Sequence, residues 1–359
     1  MKNPDSPACR LGSGSSRPSR CSGLTLSGLV FTLVGIAIFA LPFLRPPDAP
    51  SWLGEDLRRA EVDIPFDEDL GYWEEDFEAD LATPLSEASE EWFGLESEAL
   101  RASGLLAFER IEPGRVAYQL QCAGCHGDAG DGAGPAARHL MPRPRNFRKG
   151  VYKFTSTGSG SKPLRRDLFQ TITRGLSGAS MPDFRLLPEE ERHDLVEYVR
   201  YLSMRGEFEQ LSLDEAWSEE ELPDFEELAE IIYERWDEER LRAVYPDVEE
   251  PDRDEASVER GRELFLDTNL TQCDSCHGAG GRGDGINADA YEDDWGYALR
   301  PRDFTQGVFR AGASPEDLWR SIATGINGTP MGAFDGNLTG EQIWDLVHFV
   351  QAIAAGEAH

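Results

Sequence analysis

Two five-residue runs, Cys122-Ala-Gly-Cys125-His126 and Cys273-Asp-Ser-Cys276-His277, each bring two thiols and an imidazole together in the chain. C-x-x-C-H is the attachment signature of haem c. The thiols add across the two vinyl groups of one porphyrin, and the adjacent histidine reaches the iron from the proximal side. A structural zinc site would need its two C-x-x-C pairs about 15–20 residues apart, far closer than these two runs lie. A thioredoxin-type redox pair would sit beside a βαβ pattern, which neither run shows. The residues therefore predict two covalently bound haem c groups, held by Cys122, Cys125, Cys273 and Cys276, with His126 and His277 on the irons.

Electron-transfer haems commonly take a methionine thioether as the second axial ligand, because it raises the potential. Five methionines are present, and two fall at matched places, Met181 lying 55 residues after His126 and Met331 lying 54 after His277. Both sit in glycine-rich loops, Gly-Leu-Ser-Gly-Ala-Ser-Met181 and Gly-Ile-Asn-Gly-Thr-Pro-Met331. A single methionine is more often core filling. The matched pair predicts ligation.

The duplication extends well beyond the ligands. Gly114-x-x-x-Tyr118 answers Gly261-x-x-x-Phe265, Pro144-Arg145-Asn146-Phe147 answers Pro301-Arg302-Asp303-Phe304, and Gly150-Val151-Tyr152-Lys153 answers Gly307-Val308-Phe309-Arg310. Each copy has the length of one small domain, about 100 residues. A short helix is expected before each haem run. An amphipathic helix closes each unit, through Leu195, Val196, Tyr198, Val199 and Leu202 in the first and Ile343, Leu346, Val347 and Val350 in the second. Thr339-x-x-Gln342 reads as the capping box of the latter. The glycines of the opening helices would let the closing helices approach closely beside Tyr198 and Phe349. The Gly-, Pro- and Arg-rich middles read as loop, and no segment alternates like a strand, so the fold expected is mainly α.

On these residues each unit resembles the monohaem class I cytochrome c domain, and the tandem resembles a dihaem cytochrome c, over residues 109–205 and 258–356. The resemblance implies that Pro135, in Gly-Ala-Gly-Pro135, offers its carbonyl to the Nδ1–H of His126. The second unit departs here, since Gly283-Asp284-Gly285-Ile286 carries no proline, and the partner of His277 stays open. Arg145 and Arg302 suit haem propionates, because a guanidinium fork matches a carboxylate; a solvent-exposed arginine is the alternative. His348 aligns with Glu197, which argues for the solvated face of its helix, and no other histidine is expected to bind iron.

Residues 23–44 hold no charged side chain and are mostly apolar, enough to span a bilayer. Lys2, Arg10, Arg17 and Arg20 precede them, so the positive-inside rule keeps residues 1–22 cytoplasmic. The expectation is a single-pass protein of the bacterial inner membrane with its haem domains in the periplasm; a cleaved signal peptide is the rival reading.

The net charge of −32 is unevenly spread. Residues 1–50 carry +3, the linker 45–108 is acidic (−14 over 51–108), the first haem unit (109–205) is +5, the connector 206–257 is −17, and residues 258–359 are −9. Such acidity argues against nucleic-acid binding and favours redox partners with basic docking surfaces. High charge usually means disorder. Five of the eight tryptophans nevertheless fall in the acidic segments: Trp52, Trp73, Trp92, Trp217 and Trp236. Phe225, Leu228, Ile232 and Trp236 also lie near helical spacing, so parts of these segments are expected to dock, on the first unit or on a partner. The function expected is a membrane-anchored electron carrier relaying single electrons between redox complexes of a respiratory chain. It would work as a tethered shuttle or as the cytochrome subunit of an oxidoreductase complex. The alternative is a dihaem peroxidase, which would need one iron with a displaceable ligand.

Overall fold

The computed structural model describes residues 75–219 and 221–358, all within one compact unit spanning 59–359. The proposed tail 1–22, the apolar stretch 23–44, Trp52 and Trp73 lie outside the described residues. No helix among the described residues is long and apolar enough to cross a membrane. The helices are α1 (Glu75–Phe93), α2 (Glu98–Ser103), α3 (Phe108–Gln121), α4 (Ala123–His126), α5 (Arg165–Arg174), α6 (Glu189–Glu219), α7 (Phe225–Trp236), α8 (Glu255–Phe265), α9 (Cys273–His277), α10 (Pro315–Thr324) and α11 (Gly340–Ala355). Among the described residues extended pairing is confined to two isolated bridges.

Each haem unit is organised by one close helix crossing. A β-carbon on Gly114 of α3 would run into the Asp194 carbonyl of α6 and lie 2.9 Å from the Tyr198 β-carbon. A β-carbon on Gly261 of α8 would meet the Asp345 carbonyl of α11 and lie 2.9 Å from that of Phe349. Only glycine permits this approach, as the repeat suggested. Around the crossings Leu195, Val196, Tyr198, Val199 and Leu202 are buried in one core, and Ile343, Leu346, Val347 and Val350 in another. The capping box at Thr339 is present in both directions.

Two expectations are corrected. The unit middles are not all loop: α5 and α10 occupy equivalent places, each burying a leucine (Leu168, Leu318), and Ser314 with Pro315 starts α10. The closing helix of the first unit runs on through 219, into the acidic connector. His348 is fully buried rather than solvated, as is the aligned Glu197 at 3 % exposure. Each polar group has its own partner: Glu197 accepts from the Ala107 amide and pairs with Arg165, and His348 Nδ1 lies 2.9 Å from Ser257 Oγ.

The acidic segments form a second helical layer on the first unit. Phe93 of α1 meets Phe208 on the extension of α6 (4.8 Å between ring centres) and Tyr233 of α7 (5.4 Å). Leu228, Ile232 and Trp236 of α7 face inward, as their spacing predicts. Buried charge pins this layer: Glu207 receives Lys162 Nζ at 2.6 Å and Trp236 Nε1 at 2.9 Å, while Arg200 donates to the Leu105 and Trp236 carbonyls at 3.3 Å. Burial pulls the Lys162 ammonium below the usual lysine range, and Glu207 opposes that pull. After α7 the chain is tied to both units. The Val244 amide donates to the Ser156 carbonyl at 2.7 Å, and the Val248 carbonyl accepts from Trp344 Nε1 at 3.1 Å.

Replacing Glu207 by Leu should leave Lys162 buried with only the Gly150 carbonyl and no counter-charge, and Trp236 Nε1 without its acceptor, and destabilise the first unit by about 3–5 kcal/mol, measured by urea unfolding followed at tryptophan. The buried His348 gives a pH-dependent readout. Burial holds its imidazole below the ordinary histidine value, the nearby Asp345 and Asp254 opposing and Arg253 and Arg260 reinforcing the shift, with Glu250 at 3.8 Å from Nε2. The neutral form is therefore favoured in the fold, and its stability is fully present above about pH 6.5 and lost as pH falls below it. In His348→Gln the thermal midpoint of the second unit should lose part of this acid-side slope; a slope equal to the parent's would show that other groups set it.

Candidate haem sites

The two haem runs sit on α4 and α9, single helical turns that follow the opening helices. Cys122 closes α3, donating its amide to the Tyr118 carbonyl at 2.8 Å, and starts the next turn by accepting from the His126 amide at 2.9 Å. One turn therefore carries both thiols and the imidazole. The four motif cysteines are each partly buried and none is in a disulfide. Burial pushes the Cys122 thiol up to about 12 and the Cys273 thiol up to about 11.

The loop after each run returns to fix the histidine. The Gly132 amide donates to the His126 carbonyl (2.7 Å) and that of Gly283 to the His277 carbonyl (2.8 Å). The chain then passes under the imidazole: His126 Nδ1 lies 3.0 Å from the Arg145 carbonyl and His277 Nδ1 lies 3.3 Å from the Arg302 carbonyl. This overturns the role expected of Pro135. Pro135 is exposed in the turn where the Ala136 amide meets the Gly124 carbonyl, and it is the Arg145 backbone that holds His126. The open question for His277 has the same answer, so the missing proline of the second unit is immaterial. With Nδ1–H donating to a carbonyl, Nε2 keeps its lone pair for iron. Burial favours the neutral, iron-binding form of both rings. Phe147 stacks on His126 and Phe304 on His277, each with centroids 4.5 Å apart. Sequence reading missed these rings as site residues, although they close the matched Pro-Arg-x-Phe segments.

Met181 and Met331, both partly buried, occupy loops of one construction. The Leu176 amide donates to the Met181 carbonyl (3.2 Å) and the Ile326 amide to the Met331 carbonyl (2.9 Å). The Phe184 and Phe334 amides then anchor each loop to the Ile172 and Ile322 carbonyls of α5 and α10. By contrast Met204 is fully buried core and Met141 is exposed.

The donor set fits haem in a further respect. Arg145, Arg302 and Arg310 form no ion pair with a carboxylate among the described residues. Burial draws Arg145 down to about 10 and lowers Arg310, and Arg310 Nε is buried without a partner. Arg310 also lines a cavity of about 110 Å³ between the units, with Lys153, Arg174, Arg320, Asp167 and Asp317. Buried cations short of counter-charge suit an anionic ligand, and each haem brings two carboxylates. Arg310 was not singled out from sequence; its match with Lys153 in the repeat was the available signal.

Truncating Phe147 to Ala should leave both covalent attachments intact. It should destabilise the first unit by about 3–5 kcal/mol and move that site toward high-spin absorption, because one face of His126 loses its support. Visible spectra and denaturant unfolding of the holoprotein check both.

Comparison with known proteins agrees with this geometry. The family described as cytochrome c oxidase, cbb3-type, subunit III matches residues 109–199, and the family described as cytochrome c matches residues 258–354. A chain of the Kuenenia stuttgartiensis reducing HAO-like protein complex Kustc0457/Kustc0458 is 33% identical, with a TM-score of 0.55, the alignment covering 67% of this chain and 96% of that one. No curated protein matches. Two cytochrome c segments in tandem, each with its own thiol pair and carbonyl-held histidine, and a solved relative aligned along most of its length place the chain among the c-type cytochromes, as a member with two covalently bound haems.

Proposed function

We propose that the chain is an electron carrier working as the cytochrome subunit of an oxidoreductase complex. The observation that carries this reading is the equivalence of the two sites. Both have a carbonyl-held histidine, a stacked phenylalanine and a methionine loop of the same hydrogen-bond pattern. Met181 and Met331 would then complete two closed ligand sets and leave no coordination position for a substrate. Bound haem supplies the one-electron couple. The protein holds the neutral imidazoles, supports them from one side, and places Arg145, Arg302 and Arg310 for the propionates. A peroxidase would need one site built differently from the other.

The subunit role rests on the relative, which belongs to a reducing HAO-like complex. Residues 23–44 support a membrane anchor, since they are uncharged and follow a basic segment, and with it haem units on the periplasmic side of a bacterial inner membrane. The second unit, at −9 over 258–359, would steer basic redox partners, with docking weakened by salt.

Redox titration of the holoprotein, followed at the haem bands, tests the reading. Two reversible one-electron waves, both with the Met-to-iron charge-transfer band and both indifferent to carbon monoxide and peroxide, are expected. A haem that binds carbon monoxide or turns over peroxide at the half-reduced stage would move the protein to the enzymes.

A further inference from the structure

Between the haem histidine and the arginine whose carbonyl holds it, the second unit is longer than the first. That separation is 19 residues in the first unit and 25 in the second. The additional residues carry Asp293, Asp294 and Trp295 onto the first unit. Arg145 lies with its guanidinium carbon 3.5 Å from the centre of the Trp295 ring, and Lys153 Nζ pairs with Asp293 at 2.7 Å, both side chains of the pair nearly buried. Lys149 Nζ adds a bond of 2.9 Å to the Asp294 carbonyl.

The same segment grips the Met331 loop of its own unit. The Asp294 amide donates to the Gly328 carbonyl at 3.1 Å. Gly328 has φ +69°, and a β-carbon there would come within 2.6 Å of the Trp295 ring. Trp295 thus sits between Arg145, whose backbone holds His126, and the loop that presents Met331. The first unit reciprocates. Gly178, also at φ +69° and also three residues before its methionine, lies against Arg302, whose Nη2 would be 2.8 Å from a β-carbon there. Arg302 is the residue whose backbone holds His277.

We propose that this segment is a latch that makes the two haem sites one redox unit. Trp295 joins the backbone behind His126 to the Met331 loop, and Arg302 joins the backbone behind His277 to the Met181 loop. Both are positioning residues: neither reaches iron, and each acts through the loop and the carbonyl it braces. Loosening the methionine of one site therefore changes the proximal side of the other. This rests on the ligation by Met181 and Met331 proposed above.

The test uses the full-length holoprotein, with imidazole titrated into the oxidised form and the Met-to-iron band as readout. Trp295→Ala should lower the imidazole concentration that half-displaces Met331 by about tenfold, the scale of one partly desolvated cation–π contact. It should also shift the midpoint potential of the first haem, with helix content unchanged. Lys153→Asp should act in the same direction, and Lys153→Asp combined with Asp293→Lys should restore the parent behaviour. A Trp295→Ala protein with the parent's imidazole titration and first-haem midpoint would overturn the latch. Should Trp295→Ala fail to fold, the charge-reversed pair decides alone: recovery supports the latch and its absence overturns it. A parent protein without any Met-to-iron band would overturn the ligation reading instead, which separates the two failures.

Discussion

Each haem site hangs on one backbone carbonyl, that of Arg145 or Arg302, aimed at an imidazole Nδ1. A histidine can offer iron only one nitrogen, and the other must be given a proton and a direction. A backbone acceptor does this without adding charge, so the imidazole remains a neutral donor at a buried site. The rest of the unit keeps that carbonyl in place. The amides of Phe147 and Phe304 bond to the Gly130 and Gly281 carbonyls at 2.6 and 2.7 Å, and their rings lie flat on the histidines. Tyr118 and Phe265, on the opening helices, back those rings edge-on at 6.4 Å. They stand there because Gly114 and Gly261 let the closing helices come within backbone contact.

Charge is arranged around the same carbonyls. Arg145, Arg302 and Arg310 are partly or largely buried without carboxylate partners, an arrangement that costs stability unless an anion arrives. The acidic segments do not supply it. Their carboxylates are engaged elsewhere, Glu207 with Lys162, Glu238 with Arg165 and Glu209 with Arg148, all within the helical layer on the first unit. Part of the acidity of residues 206–257 therefore neutralises the cations of a basic domain inside the protein.

Much of the site could be read from the chain because it is local or repeated. The thiols and histidine share one helical turn. The close crossings are marked by a glycine and an aromatic repeated in both units, and the docking of α7 by Leu228, Ile232 and Trp236 at helical spacing. What escaped depended on tertiary structure. A backbone carbonyl has no side-chain signature, so Pro135 was the better-looking partner for His126 until the fold brought Arg145 beneath it. His348 and Glu197 look solvated because polarity in sequence does not record a partner; Ser257 in one case and Arg165 in the other make burial tolerable. The helices α5 and α10 were hidden by short length and by the glycine-rich stretches around them.

The six additional residues between His277 and Arg302 show how a duplication becomes asymmetric. Two identical units related by a two-fold would brace each other with the same residue on both sides. Here one brace is Arg302, a repeat residue, and the other is Trp295, which has no counterpart in the first unit. A guanidinium against a glycine and an indole against a glycine differ in polarity and in how they respond to charge: the first carries charge itself, while the second passes its contact on to Arg145 through its π face. The two methionine loops are thus supported in unlike electrostatic surroundings although their hydrogen bonds match. Since hydrogen bonding, burial and nearby charge tune haem potentials, the latch proposed above would, through this asymmetry, set the potentials of two otherwise matched sites apart.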